Sequence, residues 1–168
     1  TIPNSITSLD NLQYLWLFNN NITSLPDNMC DMDINWDDLD GLVESAYAKF
    51  GKIDILINNA GMSPLYPKLS EVSEELFDKV IGVNLKGPFR LMALIGERMA
   101  EGVGGSIINI SSVASLNASP GSEPYGAAKS GLNALTRSFA FAYGPSVRVN
   151  CIIAGPFLTD ISKAWDMP

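Results

Sequence analysis

Histidine is absent from the sequence altogether. Every triad or metal site that depends on imidazole is thereby excluded, which leaves Tyr, Lys, Ser and the carboxylates as candidate proton carriers. Cysteine is almost as scarce: Cys30 and Cys151 have neither the C-x-x-C spacing of a zinc or redox site nor the density of a disulfide scaffold. No metal site is expected, and the reducing cytoplasm is the expected location. No run of Lys and Arg occurs, and eleven basic residues against eighteen acidic ones leave a formal net charge of -7. Such a field favours neither phosphate backbones nor anionic lipid, so nucleic acid and membrane are not expected partners. Apolar stretches of about 18 residues are lacking, as is a charged-then-apolar leader, and a soluble chain is expected. The sequence opens on Thr1 instead of Met, as expected of a processed chain or an excerpt.

What is present has two textures. In residues 1 to about 35, Ile2-Pro3, Ile6 and Leu9 recur as Leu25-Pro26, Met29 and Met32, a period of 23 residues that belongs to solenoids. Leu12, Leu15, Leu17, Asn20, Ile22, Leu25 and Pro26 follow the pattern L-x-x-L-x-L-x-x-N-x-I-x-x-L-P, which resembles a leucine-rich repeat. Only about one and a half repeats exist, where roughly three are needed before such units bury their own faces. Its strand would offer Tyr14, Trp16 and Phe18 as aromatic anchors for a protein partner.

From about Asp37 the pattern alternates helix and strand. Leu39, Leu42, Val43, Ala46, Tyr47 and Phe50 form a stripe at helical spacing, closed by Gly51. Residues 53–57 are a short, mostly apolar run suited to a buried strand, and residues 106–110 and 147–153 are read as a second and a third strand. Ser73 with Glu74 and Glu75 opens a long helical segment reaching about Glu101, and Tyr125 to Tyr143 is a second. Helix-bearing connections imply parallel strands, so the expected architecture is α/β, one parallel sheet covered on both faces. The expected division is 1–36, leucine-rich, and 37–168, α/β.

Four groups could carry chemistry. Tyr125 and Lys129 are four apart on a predicted helix and share a face, and a cation close to a phenol favours its phenolate form. Alone, such a pair is common on solvated helices. Ser112 ends a predicted strand thirteen residues before Tyr125, where a hydroxyl either donates to a substrate oxygen or simply makes a turn. Asn84 precedes Pro88 by four, so its carbonyl loses the usual helical donor; the helix kinks there, leaving a free acceptor, or Gly87-Pro88 separates two helices and Asn84 caps one. Asn58-Asn59-Ala60-Gly61 follows a predicted strand with small residues that admit a ligand close to backbone, or makes a plain turn.

Together, Asn58-Asn59-Ala60-Gly61, Asn84 in Val83-Asn84-Leu85-Lys86-Gly87, Ser112, Tyr125-x-x-x-Lys129 and Ala154-Gly155-Pro156 to Thr159 resemble the short-chain dehydrogenase/reductase family. The resemblance runs from about Asp37 to the end. It implies a doubly wound, Rossmann-like parallel sheet and NAD- or NADP-dependent oxidoreduction of a small carbonyl or alcohol. It also implies roles: Tyr125 as general acid/base, Lys129 supporting it and binding the nicotinamide ribose, Ser112 positioning the substrate oxygen, and Asn84 anchoring a water that leads to Lys129. Asn58, Ala60, Gly61, Gly155 and Thr159, with Tyr125 and Lys129, would face the cofactor, and the family often pairs subunits into homo-oligomers.

The chain departs from that pattern in its cofactor half. A family member carries a glycine turn for the pyrophosphate after its first strand, and no such turn exists here. Gly102-Val103-Gly104-Gly105 does not substitute, because it precedes a strand where a dinucleotide fingerprint follows one. The expected sheet is therefore incomplete. The chain is expected to be inactive by itself, and a non-catalytic chimera or a leucine-rich binding module is the alternative.

Overall fold

The computed structural model describes residues 35–156. The leucine-rich reading of the first 34 residues and the candidate Thr159 lie outside the described residues. The three expected strands become β1 (Ile55–Asn58), β2 (Gly105–Ser112) and β3 (Val147–Ala154), parallel and in the order β1-β2-β3. Register runs from Ile55 opposite Ser106 on one side of β2 and from Gly105 opposite Val147 on the other. The first strand lies two residues later than its apolar run suggests, and Asn58 and Ser112 are the last residues of their strands.

Local signals set the helix ends. α1 (Trp36–Phe50) begins where the Asn35 side chain accepts from the Asp38 N–H at 2.8 Å, and it stops at Gly51, whose φ of 76° few other residues adopt. The Ser73 hydroxyl accepts from the Leu76 N–H at 3.1 Å and opens α2 (Glu74–Ile81). Beyond it the chain does not separate into two helices. A π turn over Gly82–Lys86, in which the Gly87 N–H donates to the Gly82 carbonyl, leads directly into α3 (Gly87–Glu101), with Pro88 in its first turn. The missing N–H of Pro88 is accommodated by widening one turn, as insertions into the helical ladder commonly are. α4 (Glu123–Tyr143) connects β2 to β3.

Both crossovers step in the same direction across the sheet, so right-handed connections put α3 and α4 on one face. There Met92, Ile95 and Met99 of α3, Leu132 of α4 and Val43 of α1 close on Ile107, Val147 and Val149. Each such side chain contributes on the order of 1.5–3 kcal/mol by leaving water. Leu135 and Phe139 pack against the same cluster, whereas Phe50, in the stripe expected to be apolar and inward, is exposed. The expectation of a sheet covered on both faces is corrected among the described residues. Ile55, Ile57 and Ile152, on the opposite face, are 60%, 57% and 54% exposed.

The turn into β2 depends on one glycine. Gly104 has φ 85°, and a Cβ there would lie 2.5 Å from the Ser146 carbonyl oxygen. Both the dihedral and the backbone clash oppose a side chain, so Gly104→Ala is expected to lower unfolding free energy by about 2–3 kcal/mol in a urea titration. No helix among the described residues is long and apolar enough to cross a membrane.

Candidate functional site

Parallel pairing brings the three strand ends to one edge of the sheet: Ser112 lies opposite Ala154, and Asn58 opposite Asn109 in the last pair of β1. Open α/β sheets present ligands at this edge. α4 starts just beyond it, which puts Tyr125 and Lys129 in its first two turns. Lys129 is 3% exposed; its Nζ donates to the Ile110 carbonyl at 2.8 Å and stands 5.6 Å from the centroid of the Tyr125 ring. Burial pushes the Lys129 ammonium below the ordinary lysine range, opposed by the nearby Cys151.

Asn84 is fully buried inside the π turn. Its side chain does the visible work: Nδ2 donates to the carbonyls of Met62 at 2.8 Å and Val80 at 2.9 Å, and Oδ1 accepts from the Met62 N–H at 3.3 Å. The loop after β1 is thus held to the start of the π turn by an amide that satisfies both of its ends. A Cβ on Gly61 would lie 3.1 Å from Asn84 Oδ1 and 3.4 Å from Lys129 Nζ. Both side chains therefore border the bare backbone of Gly61, an approach that a larger residue would narrow.

Ser112 and Tyr125 are not joined by a hydrogen bond among the described residues. The Ser112 hydroxyl accepts from the Ala114 N–H at 3.2 Å and starts a short 3-10 turn, Val113–Ser115. The first turn of α4 packs on that turn, since a Cβ on Gly126 would meet the Ala114 carbonyl oxygen at 3.0 Å. Ala60, Gly61 and Gly155 are exposed, and Gly155 has open space around it. Asn58 is buried and donates to Asn109 Oδ1 at 2.8 Å, bracing one strand end against the next.

Several contributors have no counterpart in the motifs. Asn109, also fully buried, continues the brace: its Nδ2 donates to Thr136 Oγ1 at 2.9 Å and lies 3.2 Å from Met92 Sδ. The signal for it is an amide inside the apolar run Ile107-Ile108-Asn109-Ile110. Cys151 donates to Asn133 Oδ1 at 3.3 Å, and Asn133 Nδ2 donates to Ser115 Oγ at 2.8 Å, tying β3 through α4 to the turn after Ser112. Tyr66 and Glu123 bond each other across the loop, and nothing in their spacing announces it.

A three-stranded parallel, Rossmann-like α/β sheet, with a buried lysine beside a tyrosine ring at its carboxyl edge, defines the class of fold. The chain matches the family described as short chain dehydrogenase over residues 18–167, a match that begins inside the leucine-rich stretch. It belongs to that family. It is 35% identical over 128 residues to human dehydrogenase/reductase SDR family member 4, covering 76% of this chain and 46% of the relative. With L-rhamnose 1-dehydrogenase (NAD(P)(+)) of Azotobacter vinelandii it shares 39% identity over 124 residues, 73% of this chain and 48% of that enzyme. The solved structure of ElxO with NADP bound superimposes at a TM-score of 0.72 and 28% identity, covering 77% of this chain and 53% of ElxO. The chain spans about half the length of the curated relatives it matches.

Proposed function

We propose that this chain is the catalytic-face half of a nicotinamide-dependent oxidoreductase acting on a small carbonyl or alcohol. The observation that carries the reading is that Lys129 Nζ and Asn84 Oδ1 both border Gly61, with the Tyr125 ring centroid 5.6 Å from that Nζ, at the carboxyl edge of the sheet. The bare Gly61 backbone and the exposed Ala60 leave room for a flat ring and a ribose, so the residues on this side fit NAD or NADP. Lys129 and Tyr125 would hold the nicotinamide ribose, and Ala60, Gly61, Gly155 and Thr159 would line its approach. Asn58 would contribute by fixing the strand end from which Gly61 departs. When bound, the dinucleotide supplies or removes the hydride.

The remaining steps fall to the chain's own groups. In carbonyl reduction the Tyr125 O–H donates its proton to the substrate oxygen, and in alcohol oxidation the phenolate takes it back. The Lys129 ammonium stabilises the negative charge on the Tyr125 oxygen between the two states. Ser112 orients the substrate oxygen by donating its O–H, which accepting from the Ala114 N–H leaves available, and Asn84 holds the loop and the π turn behind Lys129. Self-association is part of the proposal, with Phe89 of α3 at 36% and Phe141 of α4 at 93% exposure as apolar contacts on the helices.

Titrating the isotopically labelled chain with millimolar nicotinamide mononucleotide, followed by amide and tyrosine NMR, tests the assignment. Perturbations centred on Gly61, Tyr125 and Lys129, and lost in Lys129→Met, are expected. Perturbations that avoid these residues, or survive that substitution unchanged, would refute it.

A further inference from the structure

α4 begins without help from its own cap. Ser122 precedes its first residue, yet the Ser122 hydroxyl turns back to Ser119, donating to its carbonyl at 3.0 Å and its hydroxyl at 2.7 Å. No side chain from the capping position reaches the helix. The first helical N–H groups have no intrahelical acceptor, and Pro124 has none to offer, so the amide of Glu123 needs a partner from elsewhere. That partner is Tyr66, 57 residues away in the loop after β1, whose hydroxyl oxygen accepts from the Glu123 N–H at 3.0 Å.

The bond is returned. The Tyr66 O–H donates to Glu123 Oε2, and the same carboxylate oxygen accepts from the Gly121 N–H at 3.1 Å. A reciprocal pair of this kind fixes both the distance and the orientation of the two segments, as a capping box does within one helix. The bond to Tyr66 holds the Glu123 carboxyl below the usual carboxylate range, while burial, and after it the hydrogen bond to the Glu123 carboxylate, push the Tyr66 phenol up. Glu74 lies along the neighbouring groove with Glu123, and Lys68, the nearest cation in the loop sequence, is paired with Glu71.

The position of this clasp gives it a consequence. Ser63, Pro64 and Tyr66 form one wall of a narrow crevice whose other wall includes Pro124 and Tyr125. Glu123 and Pro124 also border a wider groove of about 580 Å³ beside Leu69, Val72 and Phe77. The clasp thus joins the crevice at Tyr125, which Tyr66 borders, to the wider groove, which Glu123 borders. We propose that Tyr66 and Glu123 are a positioning pair that holds the loop after β1 against the start of α4, setting where Tyr125 stands and how wide the substrate side of the site is. The proposal rests on the assignment of Tyr125 as the acid/base; neither member of the pair is a catalytic residue.

The test uses the full chain labelled with 13Cζ-tyrosine, which gives Tyr66 and Tyr125 separate signals, together with amide hydrogen exchange at Glu123. Tyr66→Phe keeps the ring and removes both bonds; Glu123→Gln keeps the length and removes the charge; Glu123→Asp tests whether a carboxylate one methylene shorter rescues. In Tyr66→Phe the Glu123 amide is expected to exchange on the order of tenfold faster, with a displaced Tyr125 signal. Glu123→Gln is expected to lower the titration midpoint of Tyr66 and displace Tyr125 in the same direction, and Glu123→Asp to restore part of that displacement. Tyr125 signals that coincide with those of the unaltered chain in both Tyr66→Phe and Glu123→Gln would overturn the proposal. Nicotinamide mononucleotide titration of the same samples separates the two ideas: clasp variants that displace Tyr125 while the mononucleotide ignores Gly61 and Lys129 leave the clasp standing and remove the catalytic reading.

Discussion

Presented with NADH or NADPH and a panel of simple ketones, and with the oxidised cofactors and the matching alcohols, the 168-residue chain is expected to give no nicotinamide absorbance change above its Tyr125→Phe variant. Lys129 Nζ stands 5.6 Å from the Tyr125 ring centroid at the strand edge, so under the proposed reading proton transfer is not the missing step. Hydride transfer is. It requires the donor carbon to be held within a few Å of the substrate carbon, and misplacement by about 1 Å can already cost roughly a hundredfold. Family members hold the donor largely by its pyrophosphate, on a glycine turn and a helix N-terminus, where backbone N–H groups and the helix dipole meet the phosphates. The sequence has no glycine turn following a strand. Turnover that disappears in Tyr125→Phe would contradict the expectation and locate a dinucleotide cradle elsewhere in the chain or its oligomer.

Replacing Asn109 by Ala is expected to cost about 2–4 kcal/mol, read as a fall in urea midpoint with an unchanged slope. The amide is the hub of a buried brace: it accepts from Asn58 Nδ2 and donates to Thr136 Oγ1, so β1, β2 and α4 meet on one side chain. Truncation leaves Asn58, only 5% exposed, with a donor and no acceptor, and such orphaned groups cost about 1–3 kcal/mol. The small cavity beside Met92 adds to this. Thr136 is spared, because its hydroxyl also donates to the Leu132 carbonyl at 2.8 Å. Asn109→Asp is the informative companion, since it retains the acceptor for Asn58 but can no longer donate to Thr136. Part of the loss recovered above neutral pH, despite the cost of burying a carboxylate, would assign that part to the Asn58 side of the brace.

Those two expectations draw on different layers of information. The strands and their parallel sense were legible because short strand-like segments at 53–57, 106–110 and 147–153 are separated by helices, whereas the order β1-β2-β3 was not among the expectations. Ser73 and Gly51 announced helix ends because caps act within one turn. Tyr125 and Lys129 share a face by helical spacing alone. The π turn itself was not legible, since Pro88 removes a donor and signals an interruption but does not say how the chain absorbs the loss. What stayed hidden depends on distance in the sequence: Asn58 finds Asn109 across 51 residues and Tyr66 finds Glu123 across 57. Polar residues carry no periodic signal of their partner, and the one hint was an amide inside an apolar strand. Coverage of both sheet faces was expected from parallel strands in general. It failed for the described residues because two successive crossovers in one direction place their helices on the same side.

The widened turn at Gly82–Lys86 also governs the phase of everything that follows it. Each residue of an α-helix rotates the chain by about 100°, so the extra residue in a π turn is the offset between the face that α2 presents and the face that α3 presents. With the offset, Val80 is buried at the end of α2 and Met92, Ile95 and Met99 all turn to the sheet. Removing one residue from 82–86 would restore a regular helix and satisfy the backbone ladder, yet it would swing that apolar triplet by about a quarter turn toward water and carry Asn84 away from Met62. Length in this segment is therefore constrained as well as the identity of Asn84, because an insertion or deletion of a single residue uncouples the core of α3 from the loop that Asn84 holds.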